Sequence, residues 1–138
     1  MLKTIVVAID DSEISERVLQ ALQDLQVQSE TKIVLSYIVP TIGPTQERAA
    51  NQLYDKEALP HLHVEKKLLS YQASLPIKSE IEIATGDPSE EIVRLANILH
   101  ADLIIIGSRG LTGVQRIIQG SVSSQVVENA TCSVLVVK

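Results

Sequence analysis

Two short runs, Ile5-Val6-Val7-Ala8-Ile9 and Ala101 to Ile106, are nearly unbroken in apolar side chains and too short to stand as helices. A strand with one face in water alternates apolar and polar residues, whereas a strand apolar at almost every position must be covered on both faces. A parallel sheet held between layers of helix meets that demand, and the rest of the chain supplies the helices. After the first run, Ile14, Val18, Ala21, Leu22 and Leu25 recur at three- and four-residue steps and make one apolar stripe. The turn Asp10-Asp11-Ser12 stops the strand, and Asp11 or Ser12 can cap this helix. Thr31 to Val39 is a second strand, ended by Pro40. A long helical segment is expected from about Glu47 to about Ala73, with Pro60 as a point of kinking or division.

Ile77 to Ala84 behaves differently. Ile77, Ser79, Ile81 and Ile83 fall on one face and Lys78, Glu80 and Glu82 on the other, the pattern of a half-exposed strand at a sheet edge. Gly86-Asp87-Pro88 then turns the chain, with Asp87 placed to cap a helix that has Pro88 in its first position. Ile92, Leu95, Ala96 and Leu99 supply the buried side of that helix. A last helix is expected from Ser121 to about Asn129, and a final strand from Ser133 to Val137. Five strands and four helices in alternation, joined by right-handed crossovers, give an α/β fold: an open five-stranded parallel sheet with helices on both faces. The core must come from Ile, Val, Leu and Ala, since the chain has three tyrosines and no Phe or Trp. Its 138 residues fit one domain, residues 1–138.

Ligands in such sheets sit beyond the C-terminal ends of the strands, where the strand order reverses. The first and fourth strands are the most continuously apolar and are expected as central neighbours, so Asp10 and Gly107 face one crevice. Gly107-Ser-Arg-Gly110-Leu-Thr-Gly113-Val-Gln-Arg-Ile-Ile-Gln-Gly120-Ser121 follows the fourth strand and leads into the last helix. Four of the chain's six glycines lie in this stretch. A strand, a glycine loop and a helix start form a place where backbone N–H groups can cradle phosphate, although surface loops also use glycine. Ser121 stands at the helix entrance, with Ser123 and Ser124 on the same first turn. Arg109 and Arg116 can neutralise phosphate charge or lie solvated. Asp10 can accept from a ribose hydroxyl or cap the first helix.

Other classes fit less well. Twelve basic and 17 acidic residues give a net charge of −5, and no aromatic residues interleave with the basic ones, so no nucleic-acid partner is expected. No apolar stretch approaches a membrane span, so no membrane partner is expected and the location is taken as cytoplasmic. Cys132 is the single cysteine; it allows no intrachain disulfide and reads as a small hydrophobe. His61, His63 and His100 show no metal spacing, capping explains Asp87, and no metal-ligating residue is assigned. Gly-x-x-x-x-Gly-Lys-Ser/Thr does not occur, and no catalytic base or nucleophile stands out. The Asp10-Asp11 pair invites comparison with a phosphorylated receiver domain. The carboxylate after strand three and the lysine after strand five that such a domain needs are lacking.

The spacing Gly107-x-x-Gly110-x9-Gly120-Ser121 resembles the signature of nucleotide-binding universal stress proteins. Val7-Ala8-Ile9-Asp10-Asp11-Ser12-Glu13 is similar to that family's first strand and turn, Gly86-Asp87-Pro88 to its third helix entrance, and Ser133-Val134-Leu135-Val136-Val137 to its last strand. The resemblance covers the whole chain. It implies a Rossmann-like sheet of the adenine nucleotide alpha-hydrolase type with strand order 3-2-1-4-5, a homodimer formed through strand 133–137, and the ATP-binding branch of the family. By position, Asp10 would meet the ribose or adenine side of ATP, with Ala8 and Ile9 beside the base and Ile106 lining the nucleoside pocket. Gly107, Gly110, Gly120, Ser121 and Val122 would surround the phosphates, mostly through main-chain N–H groups, and Arg109 and Ser123, read from the loop and the helix start themselves, are the side-chain candidates beside them. Ala8 stands where some binding members have proline. Tyr37 stands where a small aliphatic residue is common, and would either stack on adenine or fill the pocket. The implied ligand is ATP, with ADP, AMP or a cyclic nucleotide as the other adenine ligands and Mg or Mn reaching the site through the phosphates. The implied role is a dimeric nucleotide-responsive stress or signalling module. A slow ATPase and a nucleotide-free structural dimer are the alternatives.

Overall fold

In the computed structural model, which describes residues 2–10, 13–39, 54–108 and 122–138, strands and helices alternate along the chain. They are β1 (Thr4–Ile9), α1 (Ile14–Asp24), β2 (Lys32–Val39), α2 (Tyr54–Ser74), β3 (Ser79–Thr85), α3 (Pro88–Leu99), β4 (Leu103–Gly107), α4 (Val122–Asn129) and β5 (Ser133–Val137). All strand pairs are parallel and the order is β3-β2-β1-β4-β5, as the sequence implied. The unbroken apolar run of β1 puts it at the centre, where Val7 stands opposite Leu35 of β2 on one side and Ile105 of β4 on the other.

The two-residue period of a strand divides β1 between two cores. Ile5, Val7 and Ile9 join Ile33, Leu35, Leu103 and Ile105 under Ile14, Val18, Leu19 and Leu22 of α1 and Val64 and Leu68 of α2. Val6 joins Ile38, Ile104 and Ile106 under Ile92 and Ala96 of α3 and Val126 of α4. Ile5, Val7, Leu22, Leu35, Ile104 and Val126 have no exposed surface, which leaves aliphatic packing to carry most of the stabilisation. β3 is an edge strand, with Ile81 and Ile83 packed inward and Glu80 and Glu82 exposed. The 3.3 Å contact of Lys32 Nζ with Glu80 Oε2 joins two exposed side chains and adds little.

The local punctuation also follows the sequence. Asp87 is the N-cap of α3: its carboxylate accepts from Glu90 N–H at 3.1 Å, and Pro88 begins the helix. His100 closes that helix in the left-handed region at φ 53° and is exposed. α2 passes through Pro60 without division and ends at Ser74; Val64 and Leu68 anchor it to the sheet beyond the proline. Its expected start near Glu47 lies outside the described residues, as do Asp11 and Ser12. At the N-terminal end of the sheet, Asp102 Oδ2 accepts from Lys3 N–H at 2.7 Å and Thr4 N–H at 3.1 Å. These bonds hold its carboxyl below the usual carboxylate range. They fasten the start of β1 to the start of β4 and leave the opposite, C-terminal ends of the two strands as the mouth of the seam.

Candidate functional site

β1 and β4 lie side by side and run in the same direction, so Ile9-Asp10 and Gly107-Ser108 emerge at the same edge of the sheet. Here β1 turns into α1 on one face while β4 leads toward α4 on the other, which creates the reversal that open α/β sheets use for ligands. The first residue past β1 is held tightly. Asp10 N–H donates to Ser15 Oγ at 2.9 Å, and that hydroxyl lies 2.9 Å from Asp10 O and 3.1 Å from Asp10 Oδ1. Ser15 sits in the first turn of α1 and is 1% exposed. Glu13 is the N-cap of that helix and makes no side-chain capping bond.

Across the seam, Gly107 ends β4 beneath Ile14. A Cβ at this position would lie 2.8 Å from Ile14 Cγ1 and 2.9 Å from Ile14 Cγ2, so glycine is what lets the start of α1 approach the strand. Ser108 N–H donates to Val137 O at 2.7 Å and thus belongs to the sheet rather than to an anion cradle. Ile106 is buried and Ala8 partly buried, and both belong to the core under α3 and α4. Ile9 belongs to the opposite core, under α1 and α2.

Tyr37 is the register partner of Ile9 and shares that opposite core, with 8% of its surface exposed. Ile38, one step further, lies with Ala8 and Ile106. The sequence reading passed over Ile38. Parity decides the face only once the register is known: in-register partners share a face, and with Tyr37 opposite Ile9 the residue after Tyr37 falls on the side of Ala8.

Val122 is partly buried and Ser123 buried at the start of α4, which packs against α3 and β5. A polar link ties the two helices together, for Ser89 Oγ lies 2.7 Å from Asp87 Oδ2 and 2.6 Å from Gln125 Oε1. Arg109, Gly110, Gly120 and Ser121 lie outside the described residues, and so does Arg116. The described part of the site is therefore its strand-end half together with the first turn of α4. Cys132 stands just before β5, partly buried, and burial pushes its thiol upward, away from ready thiolate chemistry. Among the described residues no group of three or more His, Cys, Asp or Glu is placed to hold a metal, and no helix is long and apolar enough to cross a membrane.

Known proteins share this fold. The model of the universal stress protein family matches residues 1–138. Universal stress protein MJ0531 of Methanocaldococcus jannaschii is 32% identical over 142 residues, an alignment that covers 99% of this chain and 82% of that protein. Among solved structures, hypothetical protein MJ0577 superposes with a TM-score of 0.83 at 29% identity, covering 99% of this chain and 95% of its own. A universal stress protein family protein from Arabidopsis thaliana with AMP bound superposes with a TM-score of 0.67 at 25% identity, covering 99% and 91%.

Proposed function

The chain belongs to the universal stress protein family, and from that premise we propose that it is a nucleotide-responsive module that binds ATP at the β1–β4 mouth. The observation that carries this is Asp10, a carboxylate fixed at the end of a central strand, with Ala8, Ile38 and Ile106 on one face beside it. A carboxylate among small and aliphatic side chains suits the nucleoside end of a ligand: apolar surface for the base, and an acceptor for a ribose hydroxyl or a ring amine. The bound AMP of the Arabidopsis protein supports an adenine nucleotide as the class.

In this proposal Asp10, Ala8 and Ile106 serve the nucleoside with their side chains and Ile9, whose side chain packs in the opposite core, with its main chain, and Ile38 is added to them. The burial of Tyr37 in the opposite core supports a packing role for its ring over stacking on the base. Gly107, Arg109, Gly110, Gly120, Ser121, Val122 and Ser123 serve the phosphates, with Mg or Mn carried in on the nucleotide. The choice of a triphosphate over AMP or a cyclic nucleotide rests on the spaced glycines and Ser121 at the helix entrance. The module works as a homodimer through β5 in the cytoplasm. Any hydrolysis is slow, since no general base is evident in the sequence.

Titration calorimetry with ATP, ADP, AMP and cAMP tests the proposal. The intact protein is expected to bind ATP, and Gly120→Leu to weaken that binding at least about tenfold, the equivalent of about 1.4 kcal/mol. Absence of heat and of competition for all four nucleotides would sink it.

A further inference from the structure

We propose that Ser15 is a positioning residue for Asp10, setting the direction in which its carboxylate meets the nucleoside; this rests on the nucleotide reading above. Ser15 does not face the mouth as a ligand would. It is 1% exposed, on the inner side of the first turn of α1, and its hydroxyl is within bonding distance of three atoms of a single residue. A serine hydroxyl has one proton to give and two lone pairs to receive. One lone pair takes Asp10 N–H at 2.9 Å, which fixes the backbone where β1 has just ended. The proton is shared between Asp10 O at 2.9 Å and Asp10 Oδ1 at 3.1 Å, which fixes the side chain.

A carboxylate has two side-chain torsions, and holding one of its oxygens against a buried hydroxyl selects one rotamer and so one direction for the second oxygen. Without that hold, Asp10 would keep more of its rotamer freedom until the ligand arrives, and that part of the ordering cost would be subtracted from affinity. A buried alanine at position 15 would also strip the Asp10 N–H and carboxylate of a partner. The apolar neighbours do not require a hydroxyl: Ile14, Val18, Leu19 and Leu22 complete the buried side of α1 around Ser15. The polar atom answers to Asp10.

The test is a double-mutant cycle on the full chain, read by calorimetry with ATP and with AMP. Ser15→Ala is expected to lower the affinity for both nucleotides by the same factor, about tenfold, since Asp10 serves the part they share. The near-isosteric Ser15→Cys, which keeps the volume and weakens the hydrogen bond, is expected to fall between Ser15→Ala and the parent chain. In an Asp10→Ala background, Ser15→Ala should change affinity by less than about twofold, because its route of action is gone.

The same loss with and without Asp10 would overturn the proposal and make Ser15 a fold residue only. So would an unchanged affinity in Ser15→Ala, or a loss for ATP with none for AMP. Thermal unfolding of each variant shows that it is folded before titration. A parent chain that binds neither nucleotide would remove the nucleotide reading itself and this proposal with it, a result distinct from the three in which the parent binds.

Discussion

A methyl group at position 107 would fall within 3 Å of both γ carbons of Ile14, and a β-branched side chain wedged against a strand has little rotamer freedom with which to yield. Gly107→Ala is therefore expected to destabilise the nucleotide-free protein by about 1–3 kcal/mol, seen as a lower thermal midpoint without ligand. An unchanged midpoint would mean that the glycine serves only a ligand. The sequence identified Gly107 through its spacing from Gly110 and Gly120, but the partner that demands glycine was invisible, because Ile14 lies at the far end of the chain and no local pattern links the two. Tyr37 and Ile38 show the same limit in milder form. The strand was legible, and so was the neighbourhood of its end, yet which of two adjacent side chains faces Ala8 depends on register with β1. Ser15 is not one of the apolar residues that mark the stripe of its helix, and it carries no sequence signal of its own. Its bonds to Asp10 depend on how sharply α1 folds back after the turn, and nothing in the spacing specifies that angle.

Elements whose signals are local were the readable ones. Asp87, Pro88 and the stripe of α3 announce a helix start within a few residues, and the structure places the cap, the proline and the buried Ile92 and Ala96 where those signals put them. Asp87→Ala removes the acceptor of Glu90 N–H and a partner of Ser89. It is expected to cost about 1 kcal/mol, measured as a lower denaturant midpoint, with Asp87→Asn close to the parent chain because it keeps the capping oxygen. Equal losses in the two variants would assign the effect to charge rather than to the cap. The edge position of β3 was legible for a similar reason, since its charged face records which side meets water. Asp102 was not legible. Its partners are main-chain N–H groups of Lys3 and Thr4, which carry no side-chain signature, and they meet Asp102 only once β1 and β4 are neighbours.

At the scale of the molecule, β5 is the sheet's second edge, and its valines and Leu135 are only partly buried. Val137 O faces β4, so by strand alternation Val136 turns its N–H to the open side, where the proposed second copy would pair. Light scattering is expected to give twice the single-chain mass, and Val136→Pro, which deletes that outward N–H, to return it to one chain. A single-chain mass for the parent protein at every concentration would remove the dimer. The seam between β1 and β4 has a further consequence. β1 and β2 lie within the first forty residues and can pair as soon as both exist, whereas Ile5, Val6 and Val7 wait for Leu103, Ile104 and Ile105. During synthesis the central strand therefore spends most of its time as an open edge, with an apolar flank that later becomes the middle of the sheet. The mouth at Asp10 and Gly107 does not exist until β4 has been made. Whatever binds there can favour the last stages of assembly and can do nothing to shield the nascent chain before them.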